Sequence, residues 1–169
     1  MYPKILVPLD GSELAEEALP IAVNLAKAGG AQLVLVRVVR EHVAPGMSLG
    51  EAIYETWNEA EAYLAGIAGQ VAAEGLPVEH CTKYGTALEG ILAAIDFYQA
   101  NLVVMCTHGR SALPHVLFGS VVVEMLRRSP VPVVLVQTGA AESLRNPSLD
   151  HARIPAPVVG SDWESAEVE

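Results

Sequence analysis

The chain has 169 residues, 51% of them apolar, with a mean hydropathy of +0.34, which suits one ordinary domain and excludes a mainly disordered chain. Ten Lys and Arg against 20 Asp and Glu give a net charge of −10, so general nucleic-acid binding is not expected. No apolar run approaches the roughly 18 residues of a membrane span, and neither a signal peptide nor a disulfide or metal spacing is visible. We therefore expect a cytoplasmic protein that contacts neither membrane nor nucleic acid.

The first elements follow a strand–helix–strand pattern. Lys4–Pro8 predicts a strand, because it is a short apolar run that ends at the turn sequence DGS. Apolar residues at helical spacing then predict a helix over Ser12–Gly29. Pro20 lies inside this helix and is expected to kink it, since proline lacks the amide of a helix interior. Gln32–Val39 predicts the second strand.

The same alternation continues as far as residue 137. Helices are predicted at Ser48–Glu74, Ala87–Gln99 and Gly119–Ser129. Strands are predicted at Pro77–Tyr84, Leu102–Cys106 and Pro132–Val136. Alternating strands and helices favour βαβ units and a parallel sheet, and unbroken apolar strands agree, because parallel strands are covered on both faces. We expect an α/β fold with an open, doubly wound, five-stranded parallel sheet.

Residues 138–169 differ in composition from the rest of the chain. They contain prolines and several acids, with no apolar period. We expect one domain over residues 1–137, followed by an acidic and mostly irregular tail over residues 138–169.

The predicted fold indicates where a ligand should bind, because open parallel sheets bind ligands beyond the strand ends, where the strand order reverses. After the fourth strand, Gly109 permits a close backbone approach, and Arg110 could contact a phosphate. Gly119 and Ser120 then place amides and a hydroxyl at a helix N-terminus, which suits an anion. The alternative is that both glycines only make turns and Ser120 only caps the helix. Spacing alone leaves the two interpretations about equally open.

Four segments together carry a more specific signal. The glycine spacing is Cys106-Thr-His-Gly109, then nine residues, then Gly119-Ser120. The segments ILVPLDGSELAEEAL, KYGTALEGI and SPVPVVLV stand around it in the chain. In this order they resemble the nucleotide-binding type of the universal stress protein family, which carries Gly-x2-Gly-x9-Gly-Ser/Thr between its fourth strand and last helix. The resemblance covers roughly residues 1–137 and is more specific than any single glycine motif.

This resemblance implies an adenine nucleotide alpha hydrolase-like fold with strand order 3-2-1-4-5, and ATP, with or without Mg²⁺, at the point where that order reverses. Pro8, Leu9 and Asp10 would border adenine and ribose, with Asp10 accepting hydrogen bonds from the ribose hydroxyls. Val38 would lie against adenine, and Met105 would line the base and ribose side. The phosphates would be held by Gly109, Gly119, Ser120, Val121 and Val122.

Two residues of the glycine motif have more than one interpretation. Cys106 stands where the family has its first glycine, and its side chain either crowds the nucleotide or turns into the strand. Its thiol could react near a helix terminus, but a cysteine at the end of an apolar strand is more often buried and inert. His108 either contacts phosphate or orders the loop. Loop ordering is favoured, because a catalytic base would need a partner that the sequence does not identify.

We therefore expect an ATP-binding stress protein that acts as a nucleotide-dependent switch or sensor rather than as an enzyme. No Walker motif, dinucleotide-binding motif or acid–base pair is visible. One alternative is a slow ATPase, phosphotransfer or autophosphorylating enzyme that uses the same site. Another is a nucleotide-free dimeric scaffold in which Cys106 has closed the pocket.

The fifth predicted strand, Pro132–Val136, favours a homodimer. Proline in a strand is tolerated mainly at a sheet edge, and a bare apolar edge invites pairing. The resemblance implies that two such strands pair antiparallel about a two-fold axis. The alternative is that the chain after Gln137 folds back over the edge and leaves a monomer. The sequence names no other protein partner.

Overall fold

Strands and helices alternate along the described chain as the sequence predicts. The computed structural model describes residues 2–40, 48–107 and 119–137. The strands are β1 (Lys4–Pro8), β2 (Gln32–Val39), β3 (Val78–Tyr84), β4 (Leu102–Cys106) and β5 (Val133–Val136). The helices are α1 (Glu13–Glu16), α2 (Ala18–Gly29), α3 (Leu49–Ala73), α4 (Ala87–Tyr98) and α5 (Ser120–Arg128). The predicted tail, residues 138–169, lies outside the described residues.

The five strands form one parallel sheet in the order β3-β2-β1-β4-β5. The expected fold class and strand order are therefore confirmed. Ile5 of β1 lies opposite Leu33 of β2 on one side and Leu102 of β4 on the other. Successive strands run outward from β1 to β3, and the chain then returns to add β4 and β5 on the other side. The strand order consequently reverses between β1 and β4, which is where such sheets bind ligands.

Alternate residues of the central strands enter two separate cores. Ile5, Val7 and Leu35 pack on one face against α2 and the second half of α3, where Leu64 is fully buried. Residues of opposite parity, such as Leu6, Val34 and Val36, pack on the other face against α4 and α5. Both faces are thus covered, which explains why the strands read as continuous apolar runs rather than alternating ones.

The first helical segment differs from its prediction. Instead of one helix kinked at Pro20, the chain forms α1, breaks at Glu17 and begins again as α2. Pro20 is the third residue of α2, within the first turn, where backbone amides have no acceptor inside the helix. The missing amide of Pro20 therefore costs no helical hydrogen bond, and the break lies three residues before the expected kink.

β5 lies at an edge of the sheet, as expected from its proline, but it begins one residue later than predicted. Pro132 stands just before the strand, where its carbonyl accepts a 3.0 Å hydrogen bond from the amide of Val103. Among the helices of residues 2–40, 48–107 and 119–137, none has both the length and the apolar composition of a bilayer span.

Candidate functional site

A cavity opens at the carboxyl ends of the strands, where the strand order reverses. Its volume is about 170 Å³, roughly ten times what a single water molecule requires, so it can admit part of a small-molecule ligand. It is lined by Pro8, Leu9, Asp10, Ala15, Val36, Val38, Ala87, Ile91, Met105, Cys106, Thr107, Gly119, Ser120, Val121 and Val122.

The cavity brings together all ten of the predicted site residues that the structure describes. These are Pro8, Leu9, Asp10, Val38, Met105, Cys106, Gly119, Ser120, Val121 and Val122. The other three predicted residues, His108, Gly109 and Arg110, lie outside the described residues. Five further lining residues were not predicted from the sequence: Ala15, Val36, Ala87, Ile91 and Thr107. Four of these, all except Val36, lie in segments quoted for the family resemblance, but no role was assigned to them there.

One end of the cavity is apolar and lies between the sheet and α4. Val36 and Val38 reach it from β2, Met105 from β4, and Ala87 and Ile91 from the start of α4. Thr86 caps this helix, since its side-chain oxygen accepts a hydrogen bond from the amide of Glu89 at 3.3 Å. The cap fixes where α4 begins and so fixes the wall that Ala87 provides.

The other end of the cavity is formed by the N-terminus of α5. Gly119 is the N-cap residue, with extended backbone and no side chain to cap the helix. The first hydrogen bond of the helix joins the amide of Val123 to the carbonyl of Gly119 at 3.2 Å. Helical geometry leaves the amides of Ser120, Val121 and Val122 without an acceptor inside the helix. These three residues line the cavity, and the first turn of α5 carries no acidic side chain, so this end favours an anion.

The carboxylate of Asp10 is oriented by the turn that follows β1. Its Oδ1 accepts hydrogen bonds from the amide of Ser12 at 2.9 Å and from the Ser12 hydroxyl at 2.6 Å. The Ser12 hydroxyl oxygen in turn accepts from the amide of Ala15 at 3.2 Å and caps α1. Asp10 and Ala15, both in the cavity wall, are thus joined through one serine.

Arg37 supports this turn from the opposite face of the sheet. Gly11 has a φ of +83°, and a Cβ added there would lie 3.1 Å from the Arg37 guanidinium. The guanidinium carbon also lies 5.0 Å from the centre of the Tyr63 ring. The Tyr63 hydroxyl donates a 2.8 Å hydrogen bond to Glu16 of α1, and the pKa of Tyr63 is raised by burial and by this carboxylate. Arg37 is therefore enclosed between α3 and the turn that bears Asp10.

Cys106 turns into the core although it also borders the cavity. Its side chain is 5% exposed and belongs to the core on the α2 face. Burial, with the charge of Glu17 as a smaller contribution, raises the pKa of the thiol to about 12, despite a hydrogen bond from the backbone at Ala18. The thiol is consequently protonated near neutral pH and is a poor nucleophile. The inert interpretation of this cysteine is the one that the structure supports.

The family model described as the universal stress protein family matches residues 1–137. The chain belongs to the universal stress protein family. Universal stress protein YxiE of Bacillus subtilis is 30% identical over 152 residues, which cover 81% of this chain and 100% of that protein.

Solved structures give the same fold. Universal stress protein UspA from Lactobacillus plantarum matches with a TM-score of 0.71 and 24% identity, over 80% of this chain and 97% of that one. A universal stress protein in complex with cAMP matches with a TM-score of 0.57 and 26% identity, over 81% and 98%. The sheet is thus the adenine nucleotide alpha hydrolase-like fold of this family.

Within residues 2–40, 48–107 and 119–137, no three His, Cys, Asp or Glu side chains are grouped as a metal site requires. Thr107, which is 4% exposed, positions Gly119, because its carbonyl accepts the amide of Gly119 at 3.0 Å. This contact ties the N-terminus of α5 to the end of β4.

Proposed function

We propose that this universal stress protein binds an adenine nucleotide, with ATP as the ligand, and acts as a nucleotide-dependent switch or sensor. The proposal is supported by the two unlike ends of the cavity. The apolar end at Val38, Met105 and Ile91 suits a flat base, and the N-terminus of α5 suits phosphate. Asp10 lies in the wall of the same cavity and would accept hydrogen bonds from ribose hydroxyls.

The observation that carries this proposal is that the described part of the fold does not require a glycine at position 119. Its φ is −62°, which any residue adopts. A Cβ added there would find Thr107 O at 3.6 Å, an ordinary van der Waals contact. Since neither the backbone of Gly119 nor its packing against the described residues needs the glycine, the missing side chain leaves space in the cavity for a ligand. A phosphate held by the amides of Ser120 to Val122 would occupy that space.

A relative supports the ligand class. One solved universal stress protein of 26% identity is in complex with cAMP, which is an adenine nucleotide. Residues 108–118, where the sequence argument places a further contribution from Gly109 and Arg110, lie outside the described residues. The structural support for the proposal therefore comes from the described wall of the cavity.

A size series at position 119 tests the proposal. Gly119→Ala should weaken ATP binding about tenfold and Gly119→Val about 100-fold or more, because the added carbons enter the space of the phosphate. Both variants should keep the unaltered protein's circular dichroism and cooperative melting. Isothermal titration calorimetry with ATP, and with GTP as the base-specificity control, gives the affinities.

The series separates a phosphate site from a merely structural glycine. Equal ATP affinity in the unaltered protein and a folded Gly119→Val variant would overturn the proposal. Mass spectrometry of ligand released from protein purified without added nucleotide gives independent evidence, and finding ATP there would exclude a nucleotide-free scaffold.

Hydrolysis is tested with the same variants. ATP turnover by the unaltered protein well above that of Gly119→Val would assign a slow ATPase activity to this cavity. Turnover equal in the two proteins would leave binding as the function of the site.

We further propose that the protein is a homodimer through β5. Val133, Val134 and Leu135 are only partly buried in the single chain, and β4 is the strand on which β5 pairs. A two-fold contact would bury these apolar side chains and pair the outer edge of β5 with its copy.

A further inference from the structure

Gly90 of α4 lies unusually close to the strand below it. A Cβ built on Gly90 would lie 2.6 Å and 2.8 Å from the two methyl carbons of Val38, and 3.3 Å from Cβ of Lys83. Separations under 3.0 Å do not occur for real Cβ atoms, so any side chain at position 90 must displace its neighbour. Among the glycines of the described residues, Gly90 is the one whose added Cβ would come this close.

Val38 has little freedom to move away. It is β-branched, so its χ1 angle is restricted, and both of its methyl groups face Gly90. Its backbone is fixed in β2, where Val38 pairs in register with Lys83 of β3. Rotation about χ1 to another staggered position would move one methyl group away from Gly90 but would leave the other facing it.

The same two elements form the apolar end of the cavity. Val38 borders the cavity from β2, and Ala87 and Ile91, which flank Gly90 in sequence, border it from α4. A side chain at position 90 would therefore change the cavity by either route. It would push a methyl group of Val38 into the cavity, or it would lift α4 and move the wall formed by Ala87 and Ile91.

We propose that Gly90 is a positioning residue for ligand binding, because the recess it leaves holds the Val38 side chain and so sets the width of the cavity at its apolar end. The effect on ligand rests on the proposed function, with the base at that end. The steric coupling between Gly90 and Val38 does not depend on the ligand. It can therefore be measured even if the ligand assignment is wrong.

Gly90→Ala is the test, with Gly66→Ala and Gly69→Ala as matched controls. The control glycines lie within α3, and no atom of the described residues lies within 4 Å of a Cβ added to either of them. Alanine there should therefore raise the melting temperature through its higher helix propensity. Gly90→Ala should instead lower the melting temperature. Calorimetry should show ATP affinity about tenfold weaker for Gly90→Ala and unchanged for the controls.

A second-site variant distinguishes positioning from general destabilisation. Val38→Ala removes both methyl groups, so Gly90→Ala made in that background should no longer lower the melting temperature. The double variant should bind ATP within about twofold of Val38→Ala alone. This rescue requires direct contact between the two positions.

Each negative result has a distinct meaning. A lower melting temperature with unchanged ATP affinity in Gly90→Ala would overturn the positioning role. Equal losses from Gly90→Ala with and without Val38→Ala would overturn the steric coupling. If the unaltered protein binds no ATP, the proposed function fails, and the melting comparison still decides whether Gly90 holds Val38.

Discussion

Within the described residues, the two edges of the sheet differ in chemistry although each is a strand paired on one side only. β5 presents four apolar residues, Val133–Val136, and no charge. β3 carries Glu79, His80 and Lys83, and α3 contacts its outer edge. The carboxylate of Glu61 on α3 accepts a 3.1 Å hydrogen bond from the amide of Thr82.

This difference indicates which edge is available to another chain. A strand edge pairs readily when it is apolar and its amides are open, whereas charges and covering side chains prevent pairing. Glu61 occupies one amide of β3 and lies 3.6 Å from Nε2 of His80. β3 is therefore protected by its own domain, which agrees with our proposal that β5 is the edge that pairs with a second copy.

A charge on β5 should produce the largest effect. Val134→Asp would bury a carboxylate twice in the proposed two-fold contact, once for each copy. We expect the dimer dissociation constant to rise about 100-fold or more. Light scattering and analytical ultracentrifugation over a concentration series give the mass.

Tyr84→Asp is the control for this experiment, because Tyr84 is an exposed residue of the protected edge strand β3. It should leave the mass unchanged. A native protein that is monomeric at high micromolar concentration would contradict the dimer. A dimer that Val134→Asp and Leu135→Asp both leave intact would contradict its placement on β5.

Cys106→Gly tests the strand that supports the β5 edge. Cys106 pairs in register with Val136, and its side chain is buried. Glycine restores the family motif but removes core packing and adds strand flexibility, so unfolding should require about 2 kcal/mol less free energy. Urea denaturation measures this loss. ATP should bind at least as tightly as to the unaltered protein, and a clear loss of affinity in the folded variant would show that the thiol contributes to the site.

The architecture was predictable because its signals are local. β1, β2 and β4 coincide with the predicted apolar runs, and the alternation of strands with helices requires a parallel sheet. The strand order came from the family resemblance rather than from periodicity. The break at Glu17 was missed, because a proline is compatible with either a kink or the first turn of a new helix.

The site was predictable where the residues belong to motifs, and not where they meet across the sheet. Asp10, Gly119 and Ser120 follow strands or begin a helix, so their position could be inferred from the chain. The close approach of Gly11 to Arg37 joins the turn after β1 to a residue of β2. The role of Gly90 is likewise not visible in the sequence, because only the packing of α4 on β2 shows that a side chain at this position would clash with Val38.

Glu61→Ala should have a smaller effect and lower the free energy of unfolding by about 1 kcal/mol, because the amide of Thr82 loses its acceptor. The loss is modest because the Glu61 side chain is partly exposed. Glu59→Ala is the matched control, since Glu59 is an exposed residue of the same helix. Urea denaturation of both variants gives the difference. Equal stability of the two variants would show that Glu61 does not hold the β3 edge.

The smallest effect concerns alkaline pH and distinguishes the cysteines beside the two edges. Burial raises the pKa of both thiols, that of Cys106 from 9.0 to about 12, while the Tyr98 hydroxyl and Lys83 partly offset the rise for Cys81. Below pH 9 both thiols are protonated in the folded and in the unfolded protein, so their contribution to the free energy of unfolding is fully present. As the pH rises from about 9 towards 12, the unfolded chain loses the Cys106 proton first, and unfolding becomes easier.

Between about pH 8 and about pH 9.5, the free energy of unfolding should therefore fall less in Cys106→Ala than in the unaltered protein, and the difference should be somewhat less than 1 kcal/mol. Cys81→Ala should reduce this fall less, because Cys81 in β3 is only partly buried and Cys106 lies in the core. Urea denaturation at a series of pH values measures the three slopes. An equal reduction in the two variants would mean that the interior beside β5 is as accessible to solvent as the β3 edge, and the contrast between the two edges would then be limited to their outer surfaces.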